Sequence, residues 1–288
     1  MHKNLALIAA SLAVFVAVPR VAVAAIDSPV GAATTAATAT AAVPSYADLA
    51  DLIDGTPLVI KAQPRKLAPV DAARAPGMKP GWARFYVEAK TEAVMFGRTG
   101  VGEQLRYLVD LKLDAKGKPP AFKKQSVLLF ARAVAARPGE LQLVAPDAQV
   151  LWDPAVEARV RGLLGELNAT GAPQRIVGVR EAMFVPGNLA GESETQLFLV
   201  TTSGEPAAIT VARQPGQAPR WTVSFSDLVG DAAVPPRETL AWYRLACFLP
   251  RALPDDVLTA GTPADRAAAG QDYRFVLDQL GSCGRTRN

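Results

Sequence analysis

The sequence predicts an α+β protein: a small N-terminal β-barrel, then a linking helix and an antiparallel sheet with two C-terminal helices. Three observations carry this. Five short apolar or alternating runs crowd into residues 58–144. A run at helical spacing follows Asp153-Pro154. Four more strand-like runs and two capped helical runs complete the chain.

From the N-terminus, Lys3, the apolar run Leu5–Val18 and Ala22-Val23-Ala24 form a secretory signal pattern over residues 1–24. The run has 14 residues, against about 20 for a bilayer-spanning helix. No membrane span is expected once it is cleaved, and the mature protein is expected in the periplasm or outside the cell. Residues 25–43 are mostly Ala and Thr and bury too little to offset ordering, which reads as a disordered tether.

Ser45, Asp48 and the apolar Leu49, Leu52 and Ile53 before Gly55 predict a short capped helix. Leu58–Ala62 is the first strand. Trp82–Thr91 alternates Phe85, Val87 and Ala89 with Arg84, Tyr86, Glu88 and Lys90, and Gln104–Lys112 repeats the pattern, with Leu105, Tyr107, Val109 and Leu111 against Arg106, Asp110 and Lys112. Val127–Ala131 is apolar on both faces, and Leu141–Val144 is the fifth run. Five short strands in this length suggest a barrel domain over residues 44–150.

Asp153-Pro154 caps a helix carrying Val156, Val160, Leu163, Leu164 and Leu167, which opens an α+β domain over residues 151–283. Arg175–Phe184, Glu194–Thr202, Ala207–Arg213 and Arg220–Phe225 predict an antiparallel set, with a tight turn at Ser203-Gly204-Glu205. Helices are expected over Pro236–Leu249 and from the Thr262-Pro263-Ala264-Asp265 cap to Gly281.

Composition excludes more chemistry than it suggests. The one histidine, His2, lies in the signal, so the mature chain lacks the usual general base, Ser-His and Cys-His pairs, and His-containing metal sites. No metal or cofactor is expected. Cys247 and Cys283 are the two cysteines, and in an oxidising compartment they are expected to pair. Of 31 Lys and Arg, loss of Lys3 and Arg20 leaves 29 against 27 Asp and Glu, a net charge of +2. That weak basicity gives no reason to expect a nucleic-acid partner.

The candidate surface residues are few. Lys116, Lys118, Lys123 and Lys124 form the densest basic segment, which reads first as a solvated hairpin connection and second as a long barrel loop gripping an acidic partner. Glu192 and Glu194 are a carboxylate pair beside a loop, the one acid-base device left to a histidine-free chain. Trp82, beside Pro80-Gly81, is the tryptophan placed to stand exposed; Trp152, Trp221 and Trp242 read as core.

With its helix before Leu58-Val59-Ile60-Lys61-Ala62, its Phe85-Tyr86-Val87-Glu88-Ala89 strand reaching Phe96-Gly97, and Tyr107-Leu108-Val109 followed by Val127–Phe130, the Leu49–Val144 region resembles the netrin-like, tissue-inhibitor-of-metalloproteinase-like version of the OB barrel. Those inhibitors use an N-terminal cysteine on the target zinc. This chain has no cysteine before Cys247, so that mechanism does not transfer. Through Tyr107–Leu111, Leu141–Gln149 and Thr239–Cys247 the mature chain also resembles an uncharacterised secreted protein type of sphingomonad-like bacteria, a likeness that implies no activity. The resulting expectation is a non-catalytic exported binding or interaction module for a protein or envelope partner. The alternative is a carboxylate-based hydrolase of cell-envelope glycan or peptide.

Overall fold

A computed structural model describes residues 43–97, 100–122, 125–226, 232–258 and 261–287. The expected signal (1–24) and all of the tether but Val43 lie outside the described residues, as do Lys123 and Lys124. Residues 41–288 form one compact unit.

Helix α1 (Tyr46–Ile53) begins at Ser45, whose hydroxyl accepts from the Asp48 N–H while Asp48 accepts from the Ser45 N–H. It is buried on nearly every side, against the core and the helices α2 (Pro154–Leu167) and α3 (Leu240–Ala246).

The strands β1 (Leu58–Pro69), β2 (Trp82–Phe96), β3 (Gln104–Lys112), β4 (Val127–Ala133) and β5 (Glu140–Leu143) close into a five-stranded barrel in the order β1-β2-β3-β5-β4 and back to β1. The β3–β5 seam is parallel and the other pairs are antiparallel. Strands β1 and β2 run past the expected Ala62 and Thr91 because each extension pairs with the other strand: Gln63–Pro69 lies along Phe85–Lys90, and β2 up to Phe96 lies along Val59–Ala62. Pro64 lacks an N–H, and the β1 register skips Arg65 between Pro64 and Lys66, a bulge that bends the strand. At the seam, Gly139 has φ +80°, and a Cβ there would stand 2.9 Å from the Gln104 carbonyl. Glycine is what lets the β4–β5 turn reach β3, where its carbonyl accepts from the Arg106 N–H. A short strand, β6 (Gln149–Leu151), adds to β4 and was not expected.

Asp153 caps α2 with Pro154 in its first turn. The second sheet holds β7 (Ile176–Pro186), β8 (Ser193–Thr201), β9 (Ala207–Arg213) and β10 (Arg220–Ser224) in the antiparallel order β10-β9-β8-β7. Helix α4 (Pro263–Leu280) lies on β7 and β8, and its buried Asp272 accepts from the Thr195 hydroxyl and pairs with Arg213. Helix α3 is shorter than the expected Pro236–Leu249: Glu238 takes φ +58° and the Thr239 hydroxyl caps the helix at the Trp242 N–H. Cys247 and Cys283 are disulfide-bonded, with Cα atoms 4.9 Å apart. No helix among the described residues is long and apolar enough to cross a membrane.

Candidate functional site

The loop singled out for its charge is a closed turn. Asp114 Oδ1 accepts from the Lys116 and Lys118 N–H groups at 2.8 Å each, and these bonds hold its carboxyl below the usual range. Glu192 accepts from the Asn188 and Leu189 N–H groups of its own loop, and Glu194 lies exposed on the outer face of β8, where it accepts from the Gln196 amide. The structure does not bring these lysines and glutamates together. Trp221 and Trp242 are core, and Trp152 is half-buried beneath the Lys61 ammonium. Trp82 is half-buried and lines a hollow of about 260 Å³ with Met78, Arg84 and Asp110.

An ionisable cluster that includes none of the sequence candidates lies on α1. Asp48, Asp51 and the C-cap Asp54 recur at helical spacing along α1; arginines from distant parts of the chain meet Asp51 and Asp54, and the C-terminal tail meets Asp48. Asp48 is fully buried and accepts from Thr286 N, Thr286 Oγ1 and Arg287 N. Burial pushes its carboxyl up, and the bonds from Thr286, Arg287 and Ser45 more than offset this and hold it low. Asp51 takes a two-pronged pair from Arg285 and the Tyr243 hydroxyl. Asp54 takes Arg244, itself buried, and Arg175; their hydrogen bonds and charges outweigh desolvation and depress its carboxyl. Every carboxylate here is committed, so the cluster ties the C-terminal tail, α3 and the entry to β7 onto α1.

The barrel's outward face on β2, β3, β5 and β4 is different. Its inward alternates, Phe85, Val87, Ala89, Leu105, Tyr107 and Val109, are buried. Outward, Trp82, Arg84, Tyr86, Glu88 and Lys90 follow one another along β2, with Tyr86 opposite Leu108 and Glu88 opposite Arg106. Register continues the Tyr86–Leu108 row through Gln142 to Arg132. At about 4.8 Å per strand the row spans roughly 14 Å. It floors a groove of about 670 Å³ that continues past Tyr86 and Arg106 into a hollow of about 380 Å³ reaching Arg65.

Charges on this face fall into two sets. Arg84 is paired with Asp110 through two bonds of 2.6 and 2.8 Å, Lys66 with Glu88, Lys90 with Glu103 and Arg137 with Glu140. Arg65, Arg106 and Arg132 are exposed and carry no ion pair or side-chain hydrogen bond among the described residues. Leu108, between Tyr86 and Gln142, is 48% exposed on a strand whose other apolar residues are buried. Unpaired guanidinium groups beside a ring and an exposed leucine can take an anionic group and an apolar surface together. Trp82, at one end of the β2 row, is the sequence candidate that belongs to this site. Tyr86 and Arg106 were legible only as the wet half of an alternation, and Leu108 and Arg132 carried no sequence signal.

The chain matches no protein-family model and no curated protein. Among the described residues no group of three or more His, Cys, Asp or Glu is arranged to hold a metal ion.

Proposed function

We propose that this chain is a non-catalytic, exported binding module whose ligand lies across the outward β2–β3–β5–β4 face of an OB-type barrel. The observation that carries it is the set of unpaired guanidinium groups, Arg65, Arg106 and Arg132, around half-buried Tyr86 and exposed Leu108. The strand order β1-β2-β3-β5-β4-β1 supports the OB reading, a fold whose β2–β3 face binds extended ligands. The disulfide supports export, since such bonds persist in oxidising compartments.

A hydrolase would need two carboxylates converging on one hollow. Glu192 is held by its loop's N–H groups and Glu194 bonds Gln196, while Asp51, Asp54 and Asp147, which line one hollow of about 410 Å³, are each paired with an arginine, so none of these carboxylates is free for acid-base work.

Amide chemical shifts during titration with tetrapolyphosphate test the site. Changes are expected at Tyr86, Arg106, Leu108 and Arg132, and they should vanish in R106E/R132E. Shifts spread over all basic surfaces, or shifts that persist in R106E/R132E, would sink the proposal.

A further inference from the structure

Resting on that reading, we infer that the ligand is a linear acidic glycan, with sugar faces on Trp82 and Tyr86 and carboxylates on Arg106 and Arg132. The balance of charge argues first. Arg84, Lys66, Lys90 and Arg137 are each held by a carboxylate of the protein, so the face is no continuous cationic track. A nucleic-acid strand, with a phosphate at every residue, would meet Asp110, Glu88 and Glu140 as often as a free guanidinium.

Spacing argues next. Arg106 and Arg132 lie on β3 and β4 with β5 between them and one outward row apart, roughly 12 Å from Cα to Cα. Isolated acids at intervals along a polymer suit two separated guanidinium groups, each of which can grip a carboxylate with two parallel bonds.

The aromatics complete the case. Trp82 and Tyr86 are four residues apart on one side of β2, roughly 13 to 14 Å along the strand. Single-stranded nucleic acid stacks successive bases on closely following rings, which two rings this far apart do not offer. Gln142, exposed between Leu108 and Arg132, supplies an amide that donates and accepts at once, which suits hydroxyls.

The test is calorimetric titration of the intact protein with a tetrasaccharide in which glucuronate alternates with a neutral N-acetylated sugar, its carboxyl-reduced neutral counterpart and tetrapolyphosphate. The uronate should bind and the neutral tetramer should not. R106Q and R132Q should each weaken the uronate by about tenfold, the loss of one charge-assisted contact. Y86S should weaken the uronate but leave any polyphosphate binding intact. The Arg106 and Arg132 side chains are exposed and have no partner among the described residues, so these variants should keep the parent's unfolding midpoint. Polyphosphate binding that is lost in R106Q/R132Q, with no uronate binding, overturns the glycan inference and leaves the anion-binding face standing. Absence of all binding overturns both, and uronate binding indifferent to R106Q, R132Q and Y86S overturns the assignment to this face.

Discussion

Replacing Thr286 by valine removes one hydroxyl from a fully buried carboxylate and keeps the side chain's size. In the native protein Asp48 Oδ2 accepts from Thr286 Oγ1 at 2.5 Å and from Ser45 N at 3.2 Å, while Oδ1 accepts from the Thr286 and Arg287 N–H groups. Without the hydroxyl, Oδ2 keeps only the longer bond. A hydrogen bond to a charged group contributes about 1.5–3 kcal/mol, and stranding a buried acceptor puts the loss in the upper part of that range, about 2–3 kcal/mol. For a chain of this size that lowers Tm by about 5–10 °C. Urea unfolding with the disulfide intact measures the loss directly.

The pH dependence tells this hydrogen bond from lost packing. The Asp48 carboxyl titrates below its ordinary value in the folded protein. Its contribution is therefore complete above the unfolded pKa, about 4, and drains away as pH falls through the lower folded value. The gap between parent and Thr286→Val should narrow on acidification. A loss under about 0.5 kcal/mol, or a gap that holds constant through acid pH, would refute the reasoning, since only the charged carboxylate needs the hydroxyl.

Asp54→Asn should cost about 3–5 kcal/mol, because it leaves the buried Arg244 guanidinium without its counter-charge. Arg137→Ala, which breaks an exposed pair, should cost under about 1 kcal/mol in the same urea series, and comparable losses would contradict the burial argument. Intact mass should fall about two daltons below the reduced form for one bridge, and Cys283→Ser should lose about 3–4 kcal/mol by the chain-entropy relation; an unchanged midpoint would mean the tail holds without it. N-terminal sequencing of exported protein should begin near Ala25, and recovery of intact Met1 from the cytoplasm would count against the signal reading.

Local chemistry made much of the fold legible. Ser45 with Asp48, Asp153 with Pro154, and Thr262 with Asp265 announce helix starts, and each cap forms because both partners lie within one turn. The alternation in β2 and β3 likewise marks the side that faces the barrel interior. The site was half legible. Trp82 stood out by its turn, while the dense lysine run, read first as a hairpin connection, is a loop whose Asp114 accepts from that loop's own N–H groups.

By itself, then, the sequence determined what depends on neighbours within a few residues, namely caps, turn glycines and strand alternation, and the inventory of side chains, with His2 the one histidine and two cysteines. Tertiary structure decided what depends on chain closure. The parallel β3–β5 seam joins strands separated by all of β4, and Arg244 meets Asp54 across 190 residues. Arg106 and Arg132 belong to one face only because β5 inserts between their strands. No periodicity records those meetings, because a charge's local spacing says which side of an element it occupies but not which distant element will pack there, or whether that element brings a partner or leaves the charge free for a ligand.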